Sequence, residues 1–495
     1  MYRLFTITGM NKNILALRTA GVLAVVAIAL MFIFYIIGNI TGAVSFSADS
    51  LLLPAAFLIT SAVIGYILSR LFPDRRSGHF RRIFNVIEMV AVLIITMAGL
   101  ELAQKGFALA AGGDRSLLDT AAALADHRYV FLEDFENVKG LAQDPVGYGA
   151  VRFLSLLLWV LGINDSVALY GMVFMLLLSA FLTYRLSRLL SGRVSAICVY
   201  AFMLLLPENF SYSLLNCPEL VLMSVMLFQL LVFFYSRRLA RMGKSFEEKK
   251  WWLMLAGIFA GAGCFLLPGV GVLLPAEIFY MFFLQQRRDG NNPEEGTEIR
   301  KNSILLLVFA AAVFVLLCFL KAYDLKLGIF TVLNGYAALI RPDKDIWQRL
   351  VAVWGGNSMP VYGGILFIAL AGQFICLKLK ERDFFVPQLL LFFVFVSRIF
   401  RGSSSMDGFL AFPLLVLMAG GMFEFIFSLF RKNKKAPEAP GISLTFSEEK
   451  DEYAPLENPL PLPVKAEHGD MEFEVKNAPG DDFDVKLKPG DDFDI

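Results

Sequence analysis

Long apolar runs separated by short charged stretches dominate this chain. The runs fall at about 19–40, 51–71, 83–103, 167–184, 194–208, 219–236, 252–267, 270–285, 303–320, 363–377, 384–399 and 408–430. A helix that crosses a bilayer needs about 20 mainly apolar residues, with a range of about 17–25. The pattern therefore predicts an all-α integral membrane protein with about 12 transmembrane helices. A thirteenth apolar stretch, residues 146–162, decides how the others are oriented.

The placement of Lys and Arg resolves that choice, because short cytoplasmic loops carry the excess of positive charge. Arg3, Lys12 and Arg18 precede the first run, and Arg70, Arg75, Arg76, Arg81 and Arg82 follow the second. Both segments are expected inside. If 146–162 crossed the membrane, the basic turns at Arg185/Arg188/Arg193, Arg237/Arg238/Arg241, Arg287/Arg288, Lys378/Lys380/Arg382 and Arg431/Lys432 would all lie outside. If it lies on the outer surface as an interfacial helix, every one of them falls inside. The second arrangement is expected, with both termini cytoplasmic and residues 104–166 and 321–362 as long outer loops. The N-terminal run reads as a first membrane anchor, because its apolar stretch is too long for a cleaved signal and no small-residue cleavage site follows it.

Composition agrees with this and divides the chain. Hydrophobic residues make up 57% of the 495, charged residues 18%, and there are 47 phenylalanines. An ordinary soluble domain carries about 45–50% apolar residues, so a soluble enzyme and a nucleic-acid-binding domain are both disfavoured. The net charge of +1 hides an acidic end, since residues 438–495 hold 16 Asp/Glu against 5 Lys/Arg. That end, from residue 436, is rich in Pro, Asp and Glu and predicts a disordered cytoplasmic tail. Phe473, Phe483 and Phe493 recur there at intervals of ten, each among acids. The tail reads either as a solvated acidic segment or as a repeated docking motif for a cytoplasmic partner at residues 469–495. Four of the five cysteines sit in apolar runs and the fifth beside one, which gives no disulfide framework. His79, His127 and His468 lie too far apart for a His-rich zinc site.

The candidate chemistry lies in the outer loops. Residues 114–125 have the spacing of a short helix with a Leu/Ala face, and Asp114 reads equally as its N-cap or as an outward general base. Asp119 is the second carboxylate on that helix. Asp144-Pro145 opens the interfacial helix, which carries Arg152. In the second loop Arg341, Asp343, Lys344, Asp345 and Arg349 alternate in sign. A solvated face is the common meaning of such alternation. Trp347 and Trp354 belong either to the interfacial aromatic belt or to a lipid-phosphate site. Glu219 follows Pro218 at an outer helix end and is placed to face an external cavity. Glu88, Glu277 and Glu424 lie within apolar runs, where an ionisable group is expensive, and none has an evident partner in the sequence.

The order of these features resembles the GT-C superfamily of polytopic glycosyltransferases, which includes protein mannosyltransferase-like and aminoarabinose transferase-like enzymes. A spanning helix leads into an outer loop with an early Asp, here Asp114, followed by an Ala-rich helix. A Pro/Gly-led interfacial helix runs from Pro145 and Gly147 to Gly162. The next helix ends at the basic turn Arg185/Arg188, and a Gly-rich helix carries Gly257, Gly261 and Gly263 before Pro268. The resemblance covers about residues 83–430. It departs from the mannosyltransferase branch at Arg115, where a second acid is usual, and at Asp144, where a Tyr is usual. Near the last helix, Arg401 is followed by Gly402 rather than Tyr.

The resemblance implies an accessory two-helix membrane segment at 1–82, a GT-C-like domain at 83–435 and the tail at 436–495. It implies transfer of a sugar from a polyprenyl-phosphate-linked donor to an envelope acceptor at the outer face of the cell membrane. Asp114 would be the catalytic base, with Asp119 as its alternative. Arg115, Arg128, Arg152 or Arg341 would hold the phosphate, since a guanidinium grips it in a bidentate way, with Glu219 and Trp347 lining the site. A divalent cation is the one candidate cofactor. The alternatives are a major-facilitator-like transporter, a polymerase or ligase of lipid-linked glycans, and an inactive scaffold. The loop of more than sixty residues and the lack of repetition between the two halves count against transport.

Overall fold

The computed structural model describes residues 12–40, 56, 59, 78–110, 116–127, 144–205, 219–241, 246–284, 293–338, 362–379, 384–400 and 411–429. They belong to one compact unit, Met1–Arg431; a second unit, Lys432–Ile495, contains none of them, so the expected tail lies outside the described residues. All secondary structure among the described residues is helical. Helices suit hydrocarbon, because they satisfy every backbone N–H and C=O within the segment.

In chain order the helices are α1 Lys12–Ile40, α2 Gly78–Ala110, α3 Ser116–His127, α4 Pro145–Leu161, α5 Asp165–Leu190, α6 Arg193–Leu205, α7 Glu219–Arg241 and α8 Phe246–Leu266. Then come a 3-10 stretch Pro268–Val272, α9 Leu273–Phe279 and a π-helical stretch Tyr280–Leu284. The series ends with α10 Pro293–Asp324, α11 Ile329–Ala338, α12 Tyr362–Leu379, α13 Phe385–Phe400 and α14 Phe412–Leu429. Five of these, α1, α2, α5, α7 and α10, contain stretches long and apolar enough to cross a membrane. The protein is thus helical and membrane-type. The run expected at 270–285 is broken into 3-10, α and π pieces. The run expected at 194–208 forms the 13-residue α6, which at 1.5 Å per residue reaches only about 20 Å.

Burial sorts the helices. In α7, 83% of the most apolar window is buried, against 11% in α2 and 22% in α10. α7 is therefore the central post, with Leu220, Met223, Met226, Leu227, Leu230 and Phe233 all inaccessible. It packs against α5 and α8, and α8 packs on α10. On another flank α1 lies against α12 and α13, while α6 joins α2 to α14. The outward apolar side chains of α2 (Met89, Leu93, Ile94, Met97) and of α10 (Ile304, Val308, Leu316, Phe319) form the surfaces that hydrocarbon would cover.

With lipid outside, helix association relies on close packing and interhelical hydrogen bonds. Ser179 on α5 and Ser224 on α7 share a hydrogen bond of 2.8 Å. Ser195 on α6 donates to the Gly420 carbonyl of α14 at 2.9 Å. Gln388 on α13 donates to Gln373 on α12 at 2.9 Å. Gly192, with φ of 121°, makes the reversal between α5 and α6, in the left-handed region that favours glycine.

Candidate functional site

The sequence sets the start of α4 locally. Asp144 is its N-cap and accepts from the Val146 N–H at 3.2 Å, and Pro145 stands at the first helical position, where no N–H is needed. Gly162, with φ of 99°, ends the helix, and its N–H donates to the Leu158 carbonyl at 2.9 Å. Seventeen residues make α4 about 25 Å long, short of a hydrocarbon core of about 30 Å. One face, with Val151, Leu154 and Leu158, is buried, while Leu156, Trp159 and Val160 are exposed. α4 packs on α3, α5 and α7.

Tyr148 and Arg152 are one turn apart on α4 and meet the last turn of α10. The Tyr148 hydroxyl donates to Asp324 Oδ2 at 2.6 Å, and Arg152 Nε lies 3.5 Å from the same oxygen. Lys321, one turn before Asp324, is buried, with Nζ 5.7 Å from the centroids of both the Tyr148 and Tyr336 rings. The Asp144 carboxylate also acts on the Lys321 ammonium. Phe265 at the end of α8 closes the ring cluster, 6.0 Å from Tyr148 and 5.8 Å from Tyr336. Burial, followed by the Asp324 carboxylate, pushes the Tyr148 phenol far above its usual range. Tyr148 therefore acts as a donor at any ordinary pH. Burial does the same to Tyr336, whose hydroxyl has no hydrogen-bond partner among the described residues.

This cluster holds two carboxylates, Asp324 and Asp144, with two cations and two phenols where the short α4 meets the end of a span-length helix. Chemically it can grip an anion while keeping a carboxylate close by. Buried polar groups are ordinarily partnered, so the Tyr336 hydroxyl is a donor left over for something else.

Of the residues expected from sequence, the structure brings Arg152 into this cluster. Glu219 is the buried first residue of α7, a helix that packs on α4. Asp119 is exposed in the first turn of α3, which also packs on α4. Asp114, Arg115, Arg128, Arg341 and Trp347 lie outside the described residues. Sequence reading missed Lys321, Asp324, Tyr148 and Tyr336. The available signal was Lys321 and Asp324, of opposite charge and three residues apart at the end of an apolar run, a spacing that puts both on one helix face. Among the described residues no group of three or more His, Cys, Asp or Glu could hold a metal ion.

Two of the three carboxylates inside apolar runs, Glu88 and Glu277, have partners on other helices. Glu88 on α2 is buried and accepts from the Tyr184 hydroxyl of α5, with Arg188 Nη1 3.6 Å from the same oxygen. Nearby, Thr96 and Tyr200 share a 2.7 Å hydrogen bond between α2 and α6. Glu277 accepts from Gln229 at 3.3 Å. The Glu424 side chain lies outside the described residues. In comparisons with known proteins, no family model, no curated protein and no solved structure matches this chain.

Proposed function

We propose that this chain is a GT-C-like membrane glycosyltransferase of about twelve spans, with both termini cytoplasmic and α4 on the outer surface. It would transfer a sugar from a polyprenyl-phosphate-linked donor to an envelope acceptor. The observation that supports this reading best is the Tyr148/Arg152/Lys321/Asp324 cluster with its partnerless Tyr336 hydroxyl. It supplies positive charge and a spare donor at the junction of a short, half-exposed helix and the end of a long one, where the phosphate of a membrane-bound donor would arrive.

In the reaction an acceptor hydroxyl attacks the anomeric carbon, and a carboxylate, Asp114 or Asp119, takes its proton. The bond from that carbon to the phosphate oxygen breaks, and polyprenyl phosphate leaves with the electron pair. Charge grows on the phosphate as the bond breaks, so Arg152 and Lys321 aimed at it would lower the barrier. Glu219 would line the acceptor side. The tail at 469–495 would recruit a cytoplasmic partner through its Phe-centred acidic units, whose repetition raises effective concentration.

Reconstituted protein supplied with a labelled polyprenyl-phosphate sugar should release polyprenyl phosphate. Asp114→Asn should abolish transfer and leave membrane insertion intact; full transfer by that variant removes Asp114 from the role. The broken segment Pro268–Leu284 and its buried Glu277 favour a second reading, a transporter. Solute uptake without any sugar transfer would select it.

The topology has its own test. Ser166, at the exposed start of α5, is expected outside, and exposed Glu248, in the first turn of α8, inside. With the five native cysteines replaced, Ser166→Cys should react with an impermeant thiol reagent on intact cells. Glu248→Cys should react only after permeabilisation. The reverse pattern would mean that residues 146–162 cross the membrane.

A further inference from the structure

The stretch from Pro268 to Leu284 is the least regular part of the described bundle, passing from 3-10 through two turns of α-helix to π. π turns inside helices recur at functional sites. Glu277, in the α-helical part, is fully buried, and Gln229 on α7 is nearly so. Gln229 Nε2 donates to Glu277 Oε1 at 3.3 Å. The other oxygen of each side chain, Glu277 Oε2 and Gln229 Oε1, has no hydrogen-bond partner among the described residues.

An ionised carboxylate and an amide oxygen can only accept. As an ionised pair these two side chains would leave two buried acceptors unfilled, one on each partner of the hydrogen bond, together with a buried negative charge. Among the described residues, the titratable groups that face Glu277 are Arg237 from α7 and Cys264 from α8. The Arg237 guanidinium bonds its neighbour Ser236 at 3.2 Å and lies 5.4 Å from the Phe233 ring. α13 also packs on this segment and brings Phe385, stacked on Phe279 at 5.5 Å, and no charged group among its described side chains.

We propose that Glu277 is a proton-binding site. One proton on Oε2, donated to Gln229 Oε1, closes a two-bond acid–amide ring that joins the broken segment to the central helix α7. The carboxylate takes this proton from water, and no other bond changes. A single proton satisfies both orphaned oxygens and removes the buried charge, which no rearrangement of the ionised pair alone achieves. The site lies on elements separate from the Tyr148/Asp324 cluster, so it stands whether or not the sugar-transfer reading does.

The test uses the full-length protein in detergent at neutral pH. In Glu277→Gln the new amide N–H replaces the acid O–H as donor, so the ring survives and the melting temperature should match that of wild type. Glu277→Leu removes the ring and should melt lower. An ionised Glu277 that balances Arg237 predicts instead that Glu277→Gln falls as far as Glu277→Leu, because the guanidinium is then left buried without its counter-charge. Infrared difference spectra of wild type minus Glu277→Gln should show the carbonyl band of a protonated carboxylic acid, shifted in D2O. Absence of that band, failure of Glu277→Gln to insert, or its melting with Glu277→Leu overturns the proposal.

Discussion

Asp324→Ala should be among the most damaging single changes in the last turn of α10. The Asp324 carboxylate accepts from Tyr148 at 2.6 Å and faces Arg152 at 3.5 Å, and Lys321 one turn earlier is almost fully buried. Removing the acid leaves two cations with no neighbouring carboxylate in the cluster except Asp144. Breaking a buried ion pair from one side costs about 3–5 kcal/mol. Arg152 retains 27% side-chain exposure, and water will screen part of its charge, so the lower end, about 3 kcal/mol, is expected. Asp324→Asn keeps an acceptor for Tyr148 and should cost less. Tyr148→Phe removes one hydrogen bond to a charged group, about 1.5–3 kcal/mol, but leaves the charges balanced. Thermal unfolding of the three variants in one detergent should rank them in that order. If Asp324→Ala melts with wild type, the cluster contributes nothing to the fold. In the sugar-transfer reading the two Asp324 variants should also slow release of polyprenyl phosphate, because Arg152 loses the carboxylate that it faces.

Parts of this arrangement were legible in the sequence for a physical reason, and others were not for an equally physical one. α4 could be read because its start is local: Asp144 caps it, Pro145 suits its first position and Gly162 ends it. Arg152 could be read as useful because a guanidinium on such a helix faces either water or phosphate. Its partner Asp324 could not be read, since that residue also partners Tyr148 from 176 residues away and nothing local joins them. The long apolar runs of α5, α7 and α10 followed from bilayer thickness. The break between Pro268 and Leu284 did not, because hydrophobicity stays high throughout it. Pro268 and Pro275 were the local signal there, as each lacks the N–H that regular helix requires. Glu88 and Glu277 looked partnerless because their partners lie on other helices.

The Gly-rich face of α8 supplies the other large effect. Gly257 and Gly261 are four residues apart, so they share one face, and that face meets α10. A Cβ at 257 would stand 2.8 Å from both the Leu306 carbonyl oxygen and Phe309 Cβ. One at 261 would stand 2.4 Å from the Ala310 carbonyl oxygen and 3.0 Å from Val313 Cβ. These neighbours are backbone or Cβ atoms, which cannot swing aside, so α8 and α10 would have to separate. Two small residues at this spacing let helices approach closely in membranes, where van der Waals contact drives their association. Gly261→Val should therefore cost about 1–3 kcal/mol, the usual range for overpacking, at its upper end. Its damage should also reach the Tyr148/Asp324 cluster, because Lys321 and Asp324 ride on the far turns of α10. Gly257→Ala should be milder, and the double variant with Gly261→Ala should exceed either single change. Gly328→Ala is the control: its new Cβ would meet only Thr331 Oγ1, at 3.7 Å. Unfolding midpoints measured in one detergent should place Gly328→Ala with wild type and Gly261→Val lowest of the set. A Gly261→Val protein as stable as wild type would show that α8 and α10 do not hold each other through this glycine face.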